Sequence, residues 1–203
     1  MSKYRLDESP IYIEGTDVPK NKLGITQSDI IHEIEKNLLF QAYEIFSSKL
    51  KKQTHFDETY FINLHKKTFE SLYDFAGIYR TVNMSKGNSQ FCLAQYIPSE
   101  SKRIFTELKN DAYLVTCPDK KEFVKKLAYY KSELIALHPF YELNGRILRL
   151  FIDMICLYNG YNFIDYSTSI ENNAYIEASI LCVQYADSSK MEEIIESGLT
   201  EIN

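Results

Sequence analysis

Two consecutive segments limit what this chain can fold into. Residues 120–137 place Phe123, Leu127, Tyr130, Leu134 and Leu137 at 4-3-4-3 spacing, the period that lines one face of an α-helix with apolar groups. Residues 144–158 go further. Leu148, Phe151, Ile152 and Ile155 mark one face, and Ile147, Leu150, Met154 and Leu157 cover others. A helix apolar on most sides sits at the centre of a helical fold, and Asn159-Gly160 stops it.

The rest of the chain supplies elements to surround that pair. Ser28 reads as the N-cap of a helix reaching about Leu50. A second helix runs from about Asp57 to Tyr73, with Phe61, Leu64, Phe69 and Leu72 near helical spacing. Residues 75–97 break the pattern, and Lys86-Gly87-Asn88 is a turn between short runs, which predicts a β-hairpin over 82–94. Helices follow over about Ser99–Val115, Ile170–Tyr185 and Ser188–Gly198. Residues 1–25 read as an irregular arm of short extended runs and turn residues. The expected fold is mostly α with one small hairpin, in a single domain over residues 1–203.

Composition narrows the function classes. The net charge of −5 argues against DNA or RNA as a direct partner, because phosphate contacts need a basic surface. The basic-looking segment DKKEFVKK reads as a solvated helix face. Cys92, Cys117, Cys156 and Cys182 form no CxxC or CxxH pair, so free thiols are expected rather than a zinc or dithiol site. The start MSKYRLDESP lacks the apolar core of a signal peptide. The longest apolar run is broken by Arg149 and Asp153 and is too short to span a bilayer. The expected location is the cytosol, with export by a route needing no such signal left open, and no membrane partner.

Between the two defining helices stands HPFYELNGRILRLF, His138–Phe151. Fold alone does not explain this polar cluster at the edge of the most apolar region. His138-Pro139 ends one helix, since the residue before proline disfavours the α region. Asn144-Gly145-Arg146 begins the next. Free N–H groups at a helix N-terminus form an anion site, and Gly145 lets a phosphate approach the backbone. Arg146 and Arg149 are i,i+3 neighbours, able to act as forked guanidiniums on a polyphosphate. Glu142 is placed to hold a divalent cation with phosphate oxygens, and His138 to take a proton from an incoming hydroxyl. Blander readings stand beside these. Arg149 could instead pair with Asp153, Tyr175 could be core rather than a nucleotide wall, and Lys86 could be a solvated turn residue rather than a target contact. His32, His55 and His65 lack such company and read as surface or helix-face residues.

The cluster resembles the Fic family pattern, His-x-Phe-x-Asp/Glu-Gly/Ala-Asn-Gly/Lys-Arg with a second Arg three residues on. Here it stands as His138, Phe140, Glu142, Leu143, Asn144, Gly145, Arg146 and Arg149. The segments GTDVPKNKLGI, LYDFAGIYRTVNMSKG and NAYIEAS are similar to the family's entry, flap approach and base-lining helix. The resemblance covers roughly residues 14–198. It implies a Fic-fold bundle of about six to eight helices with a small β-hairpin flap beside an active-site loop and helix start over 138–149. It implies adenylylation: AMP passes from ATP-Mg²⁺ to a Ser, Thr or Tyr hydroxyl of a target protein, with His138 as general base. Glu142 would hold Mg²⁺, the only cofactor. Asn144 and Gly145 would contact phosphates, Arg146 and Arg149 would hold the β- and γ-phosphates, Tyr175 would line the base, and Phe140 would anchor the loop. Met84, Ser85, Lys86 and Gly87 of the flap would clamp the target as an added strand. Leu143 departs from the usual Gly or Ala. Gly145 favours AMP transfer over the phosphoryl transfer of the Doc branch, which resembles the pattern with Lys there.

Family-level targets are a bacterial gyrase or topoisomerase subunit, or a host GTPase for exported members. The inhibitory pattern Ser/Thr-x-x-x-Glu-Gly/Asn matches Ser167–Asn172 in letters only, since that stretch follows the motif helix where relatives do not place it. Inhibition is therefore expected from a separate small antitoxin-like protein. The rival readings are a Fic-fold scaffold that binds nucleotide or protein without turnover, and a Fic enzyme that transfers another phosphate-containing group.

Overall fold

The computed structural model describes residues 4–6 and 11–202. In chain order these form β1 (Arg5–Leu6), α1 (Ser28–Ser48), α2 (Glu58–Phe69), β2 (Met84–Lys86), β3 (Ser89–Gln90), α3 (Ile97–Asn110), α4 (Lys120–Leu137), α5 (Asn144–Tyr158), α6 (Ser167–Glu171), α7 (Ala174–Tyr185) and α8 (Ser189–Gly198). The fold is mostly helical, as expected. No helix among the described residues is long and apolar enough to cross a membrane.

α5 is the axis. Ile147, Leu150, Phe151, Ile152, Met154, Ile155 and Cys156 are all fully buried, which accounts for the absence of a polar face. α1 and α2 pack on one side of it and α4 on another, while α7 and α8 pack behind α4. An aromatic cluster joins these layers. The Phe61 ring lies 5.4 Å from Phe140 and 5.2 Å from Phe151, and Phe56 lies 6.1 Å from Phe151. Burying each such ring contributes roughly 1.5–3 kcal/mol. Asp57 and Asp119 cap α2 and α4 by accepting from the Tyr60 and Glu122 N–H groups. All four cysteines are free.

Several boundaries differ from expectation. The α1 N-cap is Gln27, and Ser28 is the first helical residue. α2 ends at Phe69, four residues before Tyr73. α3 starts at Ile97 because Pro98 in the first turn has no N–H to leave unbonded. It ends at Asn110, and Ala112–Leu114 form a separate 3₁₀ turn. The helix expected over 170–185 is two helices, broken where Asn173 takes a left-handed backbone (φ 62°), a conformation Asn tolerates better than most residues.

The hairpin is a three-stranded sheet. β2 pairs with β3 on one edge and with β1 on the other, antiparallel throughout. The arm 1–25 is thus not wholly irregular. It contributes β1, and Tyr12 bridges to Pro19. Residues 1–3, 7–10 and 203 lie outside the described residues. Tyr4, Met84 and Phe91 form a small apolar cluster under the sheet, separate from the main core.

Candidate active site

The loop 138–143 joins α4 to α5 and begins and ends on unusual backbone. His138 (φ 43°) and Leu143 (φ 66°) are both left-handed, which costs non-glycine residues about 1–2 kcal/mol each. Burial offsets this at Leu143, whose side chain is 4% exposed and belongs to the core. The Gly or Ala of the family pattern is thus replaced by a residue that accepts strain and gains packing.

Buried polar groups hold the loop. The Asn144 side chain accepts from the Phe140 N–H (2.8 Å) and donates to the Phe140 carbonyl (2.7 Å). Asn144, expected at the phosphates, is therefore engaged in closing the loop on itself. Phe140 is fully buried and stacks on His65 at 4.0 Å. His65 was expected on a helix face or at the surface, yet it is completely buried. Its Nδ1 accepts from the Gly77 N–H at 2.9 Å, which leaves Nε2 to carry the proton and donate to the Glu142 carbonyl at 3.1 Å. Burial lowers the His65 pKa to about 4, so the ring is neutral. Gly77 is required there. Its φ is +76°, and a Cβ would lie 2.6 Å from Lys66 Cβ.

Arg80 is the second residue that local sequence does not reveal. It is 2% exposed and donates to the carbonyls of His138 (2.8 Å), Val82 (2.7 Å) and Cys92 (2.6 Å). Its backbone N–H donates to the Pro139 carbonyl at 2.8 Å, and Tyr79 bridges to Phe140. A cation at the C-terminal end of α4 suits the helix dipole. Burial still lowers the Arg80 pKa, to about 10. One side chain thus ties the loop to both ends of the flap segment. The signals that could have found these two residues are weak: a histidine one helical turn from apolar neighbours, and a lone arginine in an aromatic run.

His138 forms one wall of a cavity of about 410 Å³. Its imidazole stacks on Phe91 of the flap segment at 3.8 Å. Gly145 and Asn144 at the start of α5, and Tyr175 and Ile176 on α7, supply other walls, with Lys86 and Gly87 at the rim. A Cβ at Gly145 would meet nothing within 4 Å, and its φ is not positive. Neither packing nor backbone strain within the chain asks for glycine there, so the space it leaves open faces the cavity.

The charged residues are distributed unevenly. Glu142 Oε1 accepts from the Tyr12 hydroxyl at 2.5 Å and Oε2 from the Leu143 N–H at 3.2 Å. Arg146 pairs with Glu35 on α1 at 2.5 Å, and the buried Glu35 also accepts from Tyr73 at 2.6 Å. Arg149 lies over the Tyr175 ring at 5.9 Å, and Lys131 lies 5.2 Å from the same ring. Asp153 does not form the Arg149 pair entertained above. Its oxygens accept from Tyr43 (2.7 Å) and the Ile164 N–H (3.1 Å), and burial raises its pKa. Of the flap residues, Met84 is buried toward Tyr4 and Phe91, while Lys86 and Gly87 are exposed.

The arrangement is a histidine and a helix N-terminus on one cavity walled by aromatic rings, while Glu142, Arg146 and Arg149 do not line it. Comparisons with known proteins identify the family. The profile described as "Fic/DOC family" matches residues 55–156. The chain is 29% identical over 180 residues to "Probable protein adenylyltransferase y4lH" of Sinorhizobium fredii, covering 89% of this chain and 91% of that protein. It is 33% identical over 202 residues to "Protein adenylyltransferase VbhT" of Bartonella schoenbuchensis, covering 99% of this chain but 41% of that longer protein. Its fold matches the crystal structure of BepC, a Bartonella tribocorum effector with bound AMPPNP, at a TM-score of 0.82 and 22% identity over 95% of this chain and 97% of that one. With half its length under the family profile and the motif loop inside that span, the chain belongs to the Fic/DOC family.

Proposed function

We propose that this chain is a protein adenylyltransferase, moving AMP from ATP to a hydroxyl of a protein. The observation that carries the reading is the cavity that His138 shares with the N-terminus of α5. A base and an anion site then face the same bound phosphate. Two relatives whose printed names are protein adenylyltransferases support it.

In this reading the His138 imidazole takes the proton of the target hydroxyl. The hydroxyl oxygen attacks the α-phosphorus, the bond from that phosphorus to the bridging oxygen breaks, and pyrophosphate leaves. Asn144 keeps the loop in shape, and Gly145 leaves room for phosphate oxygens. Arg149 and Arg146 supply positive charge to the β- and γ-phosphates. Glu35 fixes Arg146 in one orientation, so less rotamer freedom is lost on binding. Tyr175 walls the base. Catalysis is by positioning and charge stabilisation.

The residues present fit a magnesium ion. One carboxylate, Glu142, stands two residues before the start of α5, and Mg²⁺ is commonly held by one or two carboxylates plus substrate oxygens. Bound there, it would neutralise charge on the phosphates, and Tyr12 would orient the carboxylate. The target docks by adding a strand to the flap segment 84–87, which asks little of its sequence. A separate small antitoxin-like protein supplies inhibition in this reading, since the Ser167–Asn172 stretch caps and forms the short α6.

The test uses α-labelled and, separately, γ-labelled ATP with Mg²⁺ and bacterial lysate, wild type beside His138→Ala. α-Label on protein, lost in the variant, is the expected result. γ-Label alone would assign phosphoryl transfer. ATP binding without either label would assign a scaffold.

A further inference from the structure

β2 is a strand with two edges. β3 takes one through the Gly87-Asn88 turn, and β1 takes the other, with Arg5 opposite Ser85 and Leu6 opposite Met84. Without β1, that edge would present unpaired backbone groups at the rim of the His138 cavity, a template for any extended segment. The chain's own residues stand in that place.

What β1 brings with it is a hydroxyl. The Tyr4 ring packs edge-on against His138 at 5.3 Å and against Phe91 at 6.2 Å, and Lys86 Nζ lies 5.7 Å from its centroid. Tyr4 is 8% exposed and lines the same cavity as Gly145 and Tyr175. Burial raises its pKa, Glu142 raises it further, and Arg146 opposes them, so the phenol sits within the field of two of the charged motif residues. A phenol held protonated needs a base to become a nucleophile, and the side chain it touches is the candidate base. Strand pairing, residue type and ring contact thus agree on one role.

We propose that residues 4–6 are a built-in acceptor strand and that Tyr4 is adenylylated by the active site of its own chain. The proposal rests on the adenylyltransferase reading. The Tyr4 oxygen attacks the α-phosphorus of ATP and its proton passes to the His138 imidazole. A phosphorus–oxygen bond forms, the bond to the bridging oxygen breaks, and pyrophosphate leaves with that electron pair. The product is a tyrosyl phosphodiester, and no oxidant or reductant enters. Because one edge of β2 accepts one strand, β1 and an external target strand exclude each other there.

The experiment incubates the purified full chain with α-labelled ATP and Mg²⁺, with and without bacterial lysate, and locates AMP by mass spectrometry of the digested chain. The expected result is AMP on Tyr4, formed at a rate per chain that does not change across a dilution series. Tyr4→Phe loses the self-label, with circular dichroism confirming its fold. A His138→Ala chain mixed with wild type stays unmodified at Tyr4. Labelled lysate proteins with no AMP on Tyr4 of the wild type overturn the self-acceptor role and leave the adenylyltransferase reading standing. Label on Tyr4 of the His138→Ala chain in the mixture overturns action within one chain. No label on any protein overturns both readings together.

Discussion

The loop 138–143 and the flap sheet meet at one cavity, yet they are built differently. The loop 138–143 is clamped by buried groups: Arg80 on its first carbonyl and His65 on that of Glu142, both from elsewhere in the chain, and the adjoining Asn144 on Phe140. The flap is three strands of two or three residues over a cluster of Tyr4, Met84 and Phe91. So short a sheet gains little by itself. The difference teaches that one side of this site is held by buried hydrogen bonds from several elements and the other by a short sheet over a small apolar cluster.

Removing the clamp should give the largest effect. Arg80→Ala leaves the His138, Val82 and Cys92 carbonyls without their charged donor, and should cost about 3–5 kcal/mol in urea unfolding. A loss under about 1 kcal/mol would mean that the loop holds itself. His65 comes next, through pH. Its folded pKa of about 4 lies below its ordinary 6.5. Above that ordinary value neither state binds the proton, and between the two values only the unfolded chain does. Its contribution is therefore complete above roughly pH 6.5 and lost as pH falls toward 4, about 3 kcal/mol in all. Carboxylates titrate over the same range, so the difference between wild type and His65→Gln isolates the histidine. An identical pH slope in both would remove His65 from this role.

Leu143→Gly sharpens the comparison at the loop's last residue. Relief of the left-handed strain returns about 1–2 kcal/mol, while lost burial and added backbone freedom cost more. The net expected change is about 1 kcal/mol of destabilisation, read from the thermal midpoint. Marked stabilisation would mean that strain, not packing, governs the position. The smallest global effect belongs to the flap. Met84→Ala empties a buried site in a unit that opens locally, so hydrogen exchange over residues 84–91 should quicken while the global unfolding free energy shifts by less than about 1 kcal/mol. A full core-like loss of about 2–5 kcal/mol would show that flap and loop form one cooperative unit.

Much of this was legible in the chain. The bounds of α4 and α5 follow from period and stop signals, because local propensity and burial agree there. The motif residues lie within twelve positions of one another, so their spacing could be read directly. Helix starts were harder. Pro98 at the start of α3 and Asn173 before α7 carry their signals in single residues, and both were outweighed by the apolar period around them.

The sequence by itself determined a helical protein with a buried central helix and a polar motif loop at its start. Periodicity and residue type act over a few positions, and these features are local. Only the tertiary structure decided that His65 is a buried neutral anchor, that Arg80 holds three carbonyls, that Glu35 takes Arg146, and that Tyr4 meets His138. Apart from the Arg80–Val82 bond, each joins residues from 12 to 134 positions apart. The burial and direction of such a side chain are set by what packs over it, and no pattern within its own helix or strand records that neighbour.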